Sequence, residues 1–182
     1  MDWDAQRLAL YRQGRDTLRA AGYTQLSMRQ FRRFDAPTLV SEYSCQDDGM
    51  VGVGCGARSY TRGLHYSFDY AVSVRGVRAV LDDYLDRPAG DFARAEVGFH
   101  LDPAEQRLRW LVKSLLRADG VDRDAWSARF GEDVPPLPEL AERGWLAGPG
   151  RLSEEGLAHS DLIGPWLVSP RVRTAMGGYA PR

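Results

Sequence analysis

A glycine-rich stretch is the first feature of this sequence that could position a ligand. Residues 52–57 read Gly-Val-Gly-Cys-Gly-Ala. In an extended strand, glycines at alternate positions leave one face without side chains, so that a ligand or another backbone can approach closely. The spacing fits neither the dinucleotide-binding fingerprint nor the phosphate-binding loop, which needs Lys followed by Ser or Thr. Two interpretations therefore stay open: a backbone that contacts a ligand, and a strand that packs against a helix.

Cysteine and histidine side chains are the candidates for metal binding. Cys45 and Cys55 are ten positions apart, whereas zinc and [4Fe–4S] sites need three or four suitably spaced ligands. We therefore predict no metal site, and small buried thiols are the simpler interpretation. His65 precedes Tyr66 in an aromatic segment. It could contact a flat macrocycle or ligate haem iron, and a purely structural histidine is the alternative.

Arginines follow the first predicted strand. Arg29, Arg32 and Arg33 flank Phe31, and guanidinium groups recognise carboxylates such as porphyrin propionates. The alternative is a solvated loop with salt bridges. No Ser–His–acid arrangement is present in the pattern, and the paired carboxylates fit loops and solvent-facing helix surfaces. We therefore predict no catalytic residue.

The composition is that of a globular protein. Hydrophobic residues make up 43% and charged residues 27% of the chain, which is enough for a core and argues against disorder. The formal net charge of −1 gives no support for nucleic-acid binding, which usually goes with a basic excess. No long apolar run and no hydrophobic signal region occur. These features predict a cytoplasmic protein without a membrane partner.

The first half of the chain has α/β character. We predict a helix over residues 4–21 that ends at Gly22, a strand over 23–28, a short helix over 37–43, a glycine-rich strand from Met50, and a helix over 74–85. A helix that runs through a glycine directly into a strand is typical of α/β units. Two convincing strands are too few for an independent sheet. This half therefore suggests the end of a larger barrel or sheet.

The second half is mainly helical. We predict helices from Asp102-Pro103 to about residue 120, over 122–130 and over 136–143, then a hairpin with its tip at residues 148–150, and a last helix over 153–167. This order resembles a winged-helix arrangement. The change of style near residues 88–91 predicts two domains, residues 1–90 and 91–182.

Several segments, taken in order, resemble a known family. GYTQLSMRQFRR, SEYSCQDDGMVGVGCGARSYT and HYSFDYAVSVRGV resemble the late barrel region of radical-SAM proteins related to oxygen-independent coproporphyrinogen III oxidase and the haem chaperones. In that family a Gly-Tyr helix–strand junction, here Gly22-Tyr23, precedes a G-x-G-x-x-A segment, here residues 52–57. The sequence LSEEGL at residues 152–157 is similar to an element of the family's C-terminal helical domain.

The resemblance implies the end of an incomplete (βα)6 barrel, a [4Fe–4S] cluster, S-adenosylmethionine and a tetrapyrrole substrate or haem ligand. It implies cofactor contacts at Gly54, Cys55, Gly56, Ala57 and Arg58. Arg58 departs from the apolar residue expected in the true oxidase, which favours an oxidase-like subfamily with another substrate. The candidate substrate-binding residues are Arg29, Arg32, His65 and Tyr66.

The sequence contains no CxxxCxxC triplet, which the family uses to hold its cluster. We therefore expect a C-terminal portion that works with a cluster-bearing N-terminal barrel half and binds no S-adenosylmethionine tightly by itself. An exposed barrel edge would favour association with that half or with a second copy. The alternatives are a haem- or tetrapyrrole-binding module without catalysis and a winged-helix nucleic-acid binder, the latter disfavoured by the charge.

Overall fold

The computed structural model describes residues 3–35 and 49–178. The predicted helix over 37–43 and Cys45 lie outside the described residues. The chain is a mixed α/β protein with several helices and small sheets. It divides into two compact units, Met1–Leu39 with Arg107–Val168 and Val40–Gln106 with Ser169–Arg182. Each unit combines two separate segments, whereas the sequence predicted two contiguous domains that meet near residue 90.

The first unit begins with the predicted helix and strand. Helix α1 (Trp3–Ala20) ends before Gly22, which has a φ of 81°. Strand β1 (Tyr23–Gln25) pairs with β2 (Phe31–Arg33) in an antiparallel sheet. The helix prediction is confirmed. The strand is shorter than the predicted 23–28, because the amides of Leu26 and Ser27 both donate to the Gln30 carbonyl and turn the chain back.

The predicted order of helices and hairpin in the second half is confirmed. Its elements are α3 (Pro103–Leu115), α4 (Arg123–Phe130), α5 (Pro138–Glu142), β6 (Leu146–Gly148), β7 (Arg151–Leu152), α6 (Glu154–Ala158) and α7 (Ser160–Trp166). Asp122 caps α4 by accepting from the amides of Asp124 and Ala125, and Gly131 ends it in the left-handed conformation. The predicted last helix is divided at His159 into α6 and α7.

The first unit has a well-formed apolar core. Trp126 packs against Trp110 and Phe130, with ring centroids 5.6 Å and 4.6 Å away. The buried side chains of this core come from several of its helices and its hairpin, and they are Leu111, Leu115, Val121, Trp126, Leu140, Leu152, Leu157 and Ile163. The hydrophobic stripe predicted for α3 therefore forms one side of a shared core.

Arginine–carboxylate pairs join α1 to α6 within the first unit. Arg12 Nη2 donates to both carboxylate oxygens of Glu155, at 2.7 and 2.8 Å. Arg15 and Arg19 each lie 2.8 Å from Glu154. The Arg15 side chain is only 10% exposed, and the hydrogen bond with Asp16 raises the pKa of Arg15 above its ordinary value. These pairs fix the register of α1 on the unit.

The second unit contains a three-stranded antiparallel sheet. Its strands are β3 (Arg58–Tyr60), β4 (Leu64–Ser67) and β5 (Val97–His100), in the order β3-β4-β5. Helix α2 (Val74–Asp86) confirms the predicted helix over 74–85, and Ser73 caps it through the amide of Gly76. A 3₁₀ helix (Ala89–Ala93) leads to β5. Helix α8 (Pro170–Gly178) also belongs to the second unit, although in the chain it follows the segment Arg107–Val168 of the first unit.

The prediction of a glycine-rich strand from Met50 is wrong. Met50 forms only an isolated bridge with Tyr60, and residues 51–57 form a loop. Gly54 and Gly56 have φ values of 99° and 70°, which a continuous strand does not accommodate.

In the chain's tail, where few core positions were expected, the Ser169 hydroxyl accepts from the amide of Val172 and begins α8.

Strand pairing in the described residues is antiparallel throughout, and these residues contain no closed barrel. The barrel end and the winged-helix arrangement stay predictions. Within the same part of the chain, none of the helices has both the length and the apolar character needed to cross a bilayer.

Apolar burial is sparse in the second unit. Val80 is its one buried hydrophobic side chain among the described residues. Exposed apolar side chains are numerous, and they include Val51, Val53, Tyr70, Val72, Val74, Val77, Leu81, Leu85, Phe92 and Met176. Most apolar side chains named here therefore contribute to the surface of the unit and not to a core.

Candidate functional site

One face of the sheet in the second unit brings together aromatic side chains from all three strands. Tyr60 in β3 is the register partner of His65 in β4, which is in turn the register partner of Phe99 in β5. Register partners point to the same side of a sheet. Arg58 shares that side, because it pairs with Ser67 two positions beyond His65. We call the set of Arg58, Tyr60, His65 and Phe99 the aromatic face.

The aromatic face contains a stacked pair. The Tyr60 and His65 rings are 4.4 Å apart between centroids, with an angle of 21° between their planes. Both side chains and that of Phe99 are half-buried. Because the two rings are stacked face to face across neighbouring strands, they stand edge-on to the sheet, and a further planar group could extend the stack on the outer face of Tyr60 in the edge strand β3.

Two guanidinium groups flank the aromatic face. Arg58 lies over the ring of Tyr70, with 5.6 Å from its Cζ to the centroid. On the other side Arg171, from α8, lies over Phe99 at 4.7 Å. Arg171 also donates to an Asp102 carboxylate oxygen at 2.7 Å and to the His100 carbonyl at 3.0 Å. A planar ligand with carboxylates that extends the stack would meet the Arg58 guanidinium, which forms no ion pair within the described residues, whereas the charge of Arg171 is already met by Asp102.

Asp102 holds Arg171 beside the aromatic face and caps α3. Its Oδ1 accepts from the Glu105 amide at 2.9 Å. This bond and then the charge of Arg171 hold the pKa of Asp102 below its ordinary value. The carboxylate therefore stays ionised in neutral solution and keeps Arg171 in place.

His65 and Tyr66, both predicted to bind substrate, point to opposite faces of the sheet. Tyr66 pairs with Ser59 and Gly98, and these belong to the side away from His65. One flat ligand on either face can contact only one of the two. The structure thus groups His65 with Tyr60 and Phe99, neither of which was predicted as a site residue.

The glycine loop, residues 51–57, is closed by backbone bonds between Met50 and Tyr60, at 2.9 and 2.8 Å. Gly52 donates to the Ser59 hydroxyl at 3.0 Å. A Cβ on Gly52 would lie 2.6 Å from the Arg58 carbonyl oxygen. Gly52 is therefore required for close packing against the loop's own strand, which is a third role beside the two considered from the sequence.

The predicted cofactor residues 54–58 lie on this loop and at the start of β3. Nothing comes within 4 Å of a Cβ built on Gly54 or on Gly56, so the loop is open on that side. The Cys55 thiol points inward, 3.9 Å from the Val80 carbonyl of α2. Ala57 closes the turn by donating from its amide to the Gly54 carbonyl at 3.2 Å.

The predicted arginines belong to the first unit, apart from the other site residues. Arg29 forms an ion pair with Asp161 of α7. Arg32 lies in β2, where it is the register partner of Thr24 and is half-buried. Arg29 therefore forms a salt bridge within its own unit. Such salt bridges were the alternative to carboxylate recognition in the sequence analysis.

A cavity of about 550 Å³ in the first unit was not predicted. Residues from α1, β1, β7 and α6 line it, and Arg19 bridges two of them, donating to Glu154 and to the Gln25 side-chain oxygen at 2.8 Å each. Gln25 is buried and also donates to the Tyr11 hydroxyl. Because its polar groups already contact one another, the cavity is a packing feature.

The described residues do not fit a [4Fe–4S] cluster. Such a cluster needs several thiolates together, and residues 3–35 and 49–178 hold one thiol, that of Cys55, and no group of three candidate metal ligands. The cluster-binding residues that the resemblance implies are therefore not supplied by this part of the chain.

Three residues of the site, Tyr60, Phe99 and Arg171, were not predicted from the sequence. Phe99 could have been found, because Val97 and Phe99 are apolar residues at alternate positions of the short segment that forms β5, a spacing typical of a strand. Arg171 has no such signal, since only the position of α8 brings it to the sheet.

Comparisons with protein-family models, with curated proteins and with solved structures found no match to this chain.

Proposed function

We propose that this chain is the C-terminal portion of a radical-SAM protein like the oxygen-independent coproporphyrinogen III oxidases, and that its aromatic face binds a tetrapyrrole or a related planar carboxylate. The cluster-bearing barrel half comes from elsewhere. The observation that carries the proposal is the stacked Tyr60–His65 pair with the Arg58 guanidinium on the same side of the sheet. Tetrapyrroles combine a wide planar ring with carboxylate side chains, so they complement such a face.

The incomplete burial of the second unit supports a missing half. Val51 and Val53 are exposed on the glycine loop, and Val80 is the one buried apolar side chain that the described residues of this unit contain. A partner that covers the loop would bury these valines and could complete a pocket for S-adenosylmethionine beside residues 54–58. In the same proposal residues 1–90 form the end of an incomplete (βα)6 barrel, residues 103–167 a winged-helix-like arrangement, and the cytoplasm keeps Cys55 reduced.

The first experiment titrates coproporphyrin III, without metal, into the chain and follows its fluorescence. We expect saturable binding that Tyr60→Ala weakens by about fivefold, because a stacked aromatic contact is worth about 1 kcal/mol. Tyr66→Ala is the matched control, since it removes the same side chain from the opposite face. Equal losses for the two variants, or no binding by the wild-type chain, would contradict the assignment of the ligand to the aromatic face.

A second experiment tests the link with radical-SAM chemistry. Calorimetry with S-adenosylmethionine is expected to show no binding by the chain alone. Binding should appear when the cluster-bearing half of a coproporphyrinogen oxidase-like protein is added, and Gly52→Ala should weaken it by displacing the loop from Arg58. Tight binding by the isolated chain, or none with the added half, would remove this part of the proposal.

A haem-binding module without catalysis is the second candidate. The observation that favours it is the half-buried imidazole of His65 on the aromatic face, since histidine is a common axial ligand of haem iron. Haem binding through His65 would shift the Soret band, and His65→Ala would abolish the shift. If the variant binds haem and metal-free coproporphyrin as well as the wild type does, iron ligation by His65 is excluded.

A further inference from the structure

Helix α2 carries an apolar stripe that faces solvent. Val74, Val77, Leu81 and Leu85 recur at spacings of three and four residues and are 74%, 43%, 44% and 77% exposed. Such spacing places them along one side of the helix. Val80, on another side, is the helix's buried residue. The helix therefore uses one side for its own unit and leaves a second apolar side open.

Charged side chains follow the same stripe in a defined order. Arg75 and Arg78 lie in the first half of α2, and Asp82 and Asp86 lie in the second half. At about 100° per residue, all four fall along the same edge of the stripe. They are exposed, and none of them forms an ion pair in the part of the chain that the structure describes.

We propose that a second copy of this chain docks on the stripe, with the two α2 helices antiparallel across a two-fold axis. An antiparallel pair places corresponding edges of the two helices opposite each other with reversed direction. Arg78 of each copy then faces Asp82 of the other, and Arg75 faces Asp86. A parallel two-fold pair would place this edge opposite the partner's other edge, where Val80 and Tyr84 lie, and would leave the four charges without partners. The order of charges therefore selects the antiparallel arrangement.

The same order of charges distinguishes a second copy from other partners. An anionic membrane surface attracts helices with basic residues along the whole polar side, and here half of that edge is acidic. A partner of one charge sign would satisfy either the arginines or the aspartates. The helix itself, turned around, satisfies both. The proposal uses no residue of the aromatic face and goes beyond the function proposed above.

The size of the stripe predicts a weak dimer. Stable interfaces bury about 800 Å² on each partner, and α2 has only 13 residues, of which four form the stripe. We therefore expect a dissociation constant of roughly 10 to 100 μM, since affinity rises with well-packed apolar contact at the centre of an interface.

The test is sedimentation equilibrium of the full chain from about 5 to 500 μM, concentrations that bracket the expected constant. Leu81→Asp should raise the dissociation constant by roughly 100-fold, because it places a charge in both halves of the apolar contact. Arg78→Asp and Asp82→Arg should each raise it by roughly tenfold, since each creates two like-charge contacts in the dimer. Circular dichroism and coproporphyrin binding should stay as in the wild type.

Mixing the two charge variants gives the deciding result. In a mixed dimer, Asp at position 78 of one chain meets Arg at position 82 of the other, and the native Arg78–Asp82 contact remains on the second side. We expect the equimolar mixture to associate about as well as the wild type, and the double variant to do the same.

A monomer at all concentrations, or no recovery on mixing, would overturn the proposal. Wild-type dimerisation that Leu81→Asp leaves unchanged would also overturn it. The same holds if the wild-type chain binds anionic vesicles, or the added barrel half, and Leu81→Asp abolishes that binding. These readouts are separate from coproporphyrin binding, so failure of the dimer and failure of the proposed function can be told apart.

Discussion

Gly156→Ala is expected to lower the free energy of unfolding of the first unit by about 3 kcal/mol, at the upper end of the cost of overpacking. A Cβ on Gly156 would lie 2.2 Å from the Trp145 carbonyl oxygen and 3.0 Å from its carbon. Contacts this short with backbone atoms cannot be relieved by turning a side chain. Urea unfolding followed by tryptophan fluorescence measures the loss.

The Trp145 carbonyl cannot move away from Gly156 without further cost. It accepts from the Ser153 amide at 2.8 Å, which closes the β6–β7 hairpin. Ser153 also caps α6, where its hydroxyl accepts from the amide of Gly156 itself at 3.1 Å. A displaced carbonyl would therefore weaken the hairpin and the helix cap together, and a cap alone is worth about 1 kcal/mol.

Gly14→Ala is the matched control for Gly156→Ala. Gly14 also lies in a helix of the first unit, and nothing comes within 4 Å of a Cβ built there. Alanine should stabilise α1 at this position by about 0.5 to 1 kcal/mol through its helix propensity. If both variants change stability in the same direction, close contact at Gly156 is not the cause.

Local signals in the sequence were enough to predict most helices. The Gly22 stop of α1, the Asp122 cap of α4 and the Ser153 cap of α6 all operate as expected from their residue types. Each depends on a few neighbouring residues, so the tertiary contacts of the fold are not needed to find it. Helix α8 was not predicted, because the C-terminal tail of the chain contains several turn residues and little apolar periodicity. Ser169 alone marks the start of this helix.

The glycine loop shows why the strand prediction failed. Alternating valines and glycines from Met50 onward match the period of a strand, but positive φ values at Gly54 and Gly56 turn the chain. The sequence pattern is the same for a strand and for this loop, since glycine is compatible with both. What selects the loop is the Met50–Tyr60 bridge and the packing of Gly52 on Arg58, which are tertiary contacts.

The candidate site was predicted only in part. His65 was identified by residue type and Arg58, as a cofactor contact, by its position in the family resemblance, and the structure places both on the aromatic face. Tyr60 and Phe99 join them through strand register, which depends on pairing between segments distant in sequence. Tyr66, although adjacent to His65, points to the opposite face, because successive side chains of a strand alternate between its two sides. That alternation is a property of any strand, so assigning residues 64–67 to a strand is enough to place His65 and Tyr66 on opposite faces.

Trp126→Ala is the second large effect, an expected loss of about 4 kcal/mol in the free energy of unfolding. Trp126 is 1% exposed and packs between Trp110 and Phe130 in the core of the first unit. Truncation removes its contacts with the rings of Trp110 and Phe130 and leaves a cavity in the core. The loss should appear as a lower denaturation midpoint in urea, measured by circular dichroism because the variant also removes a fluorophore.

Two further variants separate packing from hydrogen bonding at Trp126. Its indole Nε1 is buried and has no hydrogen-bond partner, so Trp126→Phe removes an unsatisfied donor together with part of the ring and should cost only about 1 to 2 kcal/mol. Trp166→Ala is the control for removing a tryptophan, because Trp166 is 45% exposed, and it should cost less than about 1.5 kcal/mol. Equal losses for Trp126→Ala and Trp166→Ala would mean that the core around Trp126 does not determine the stability of this unit.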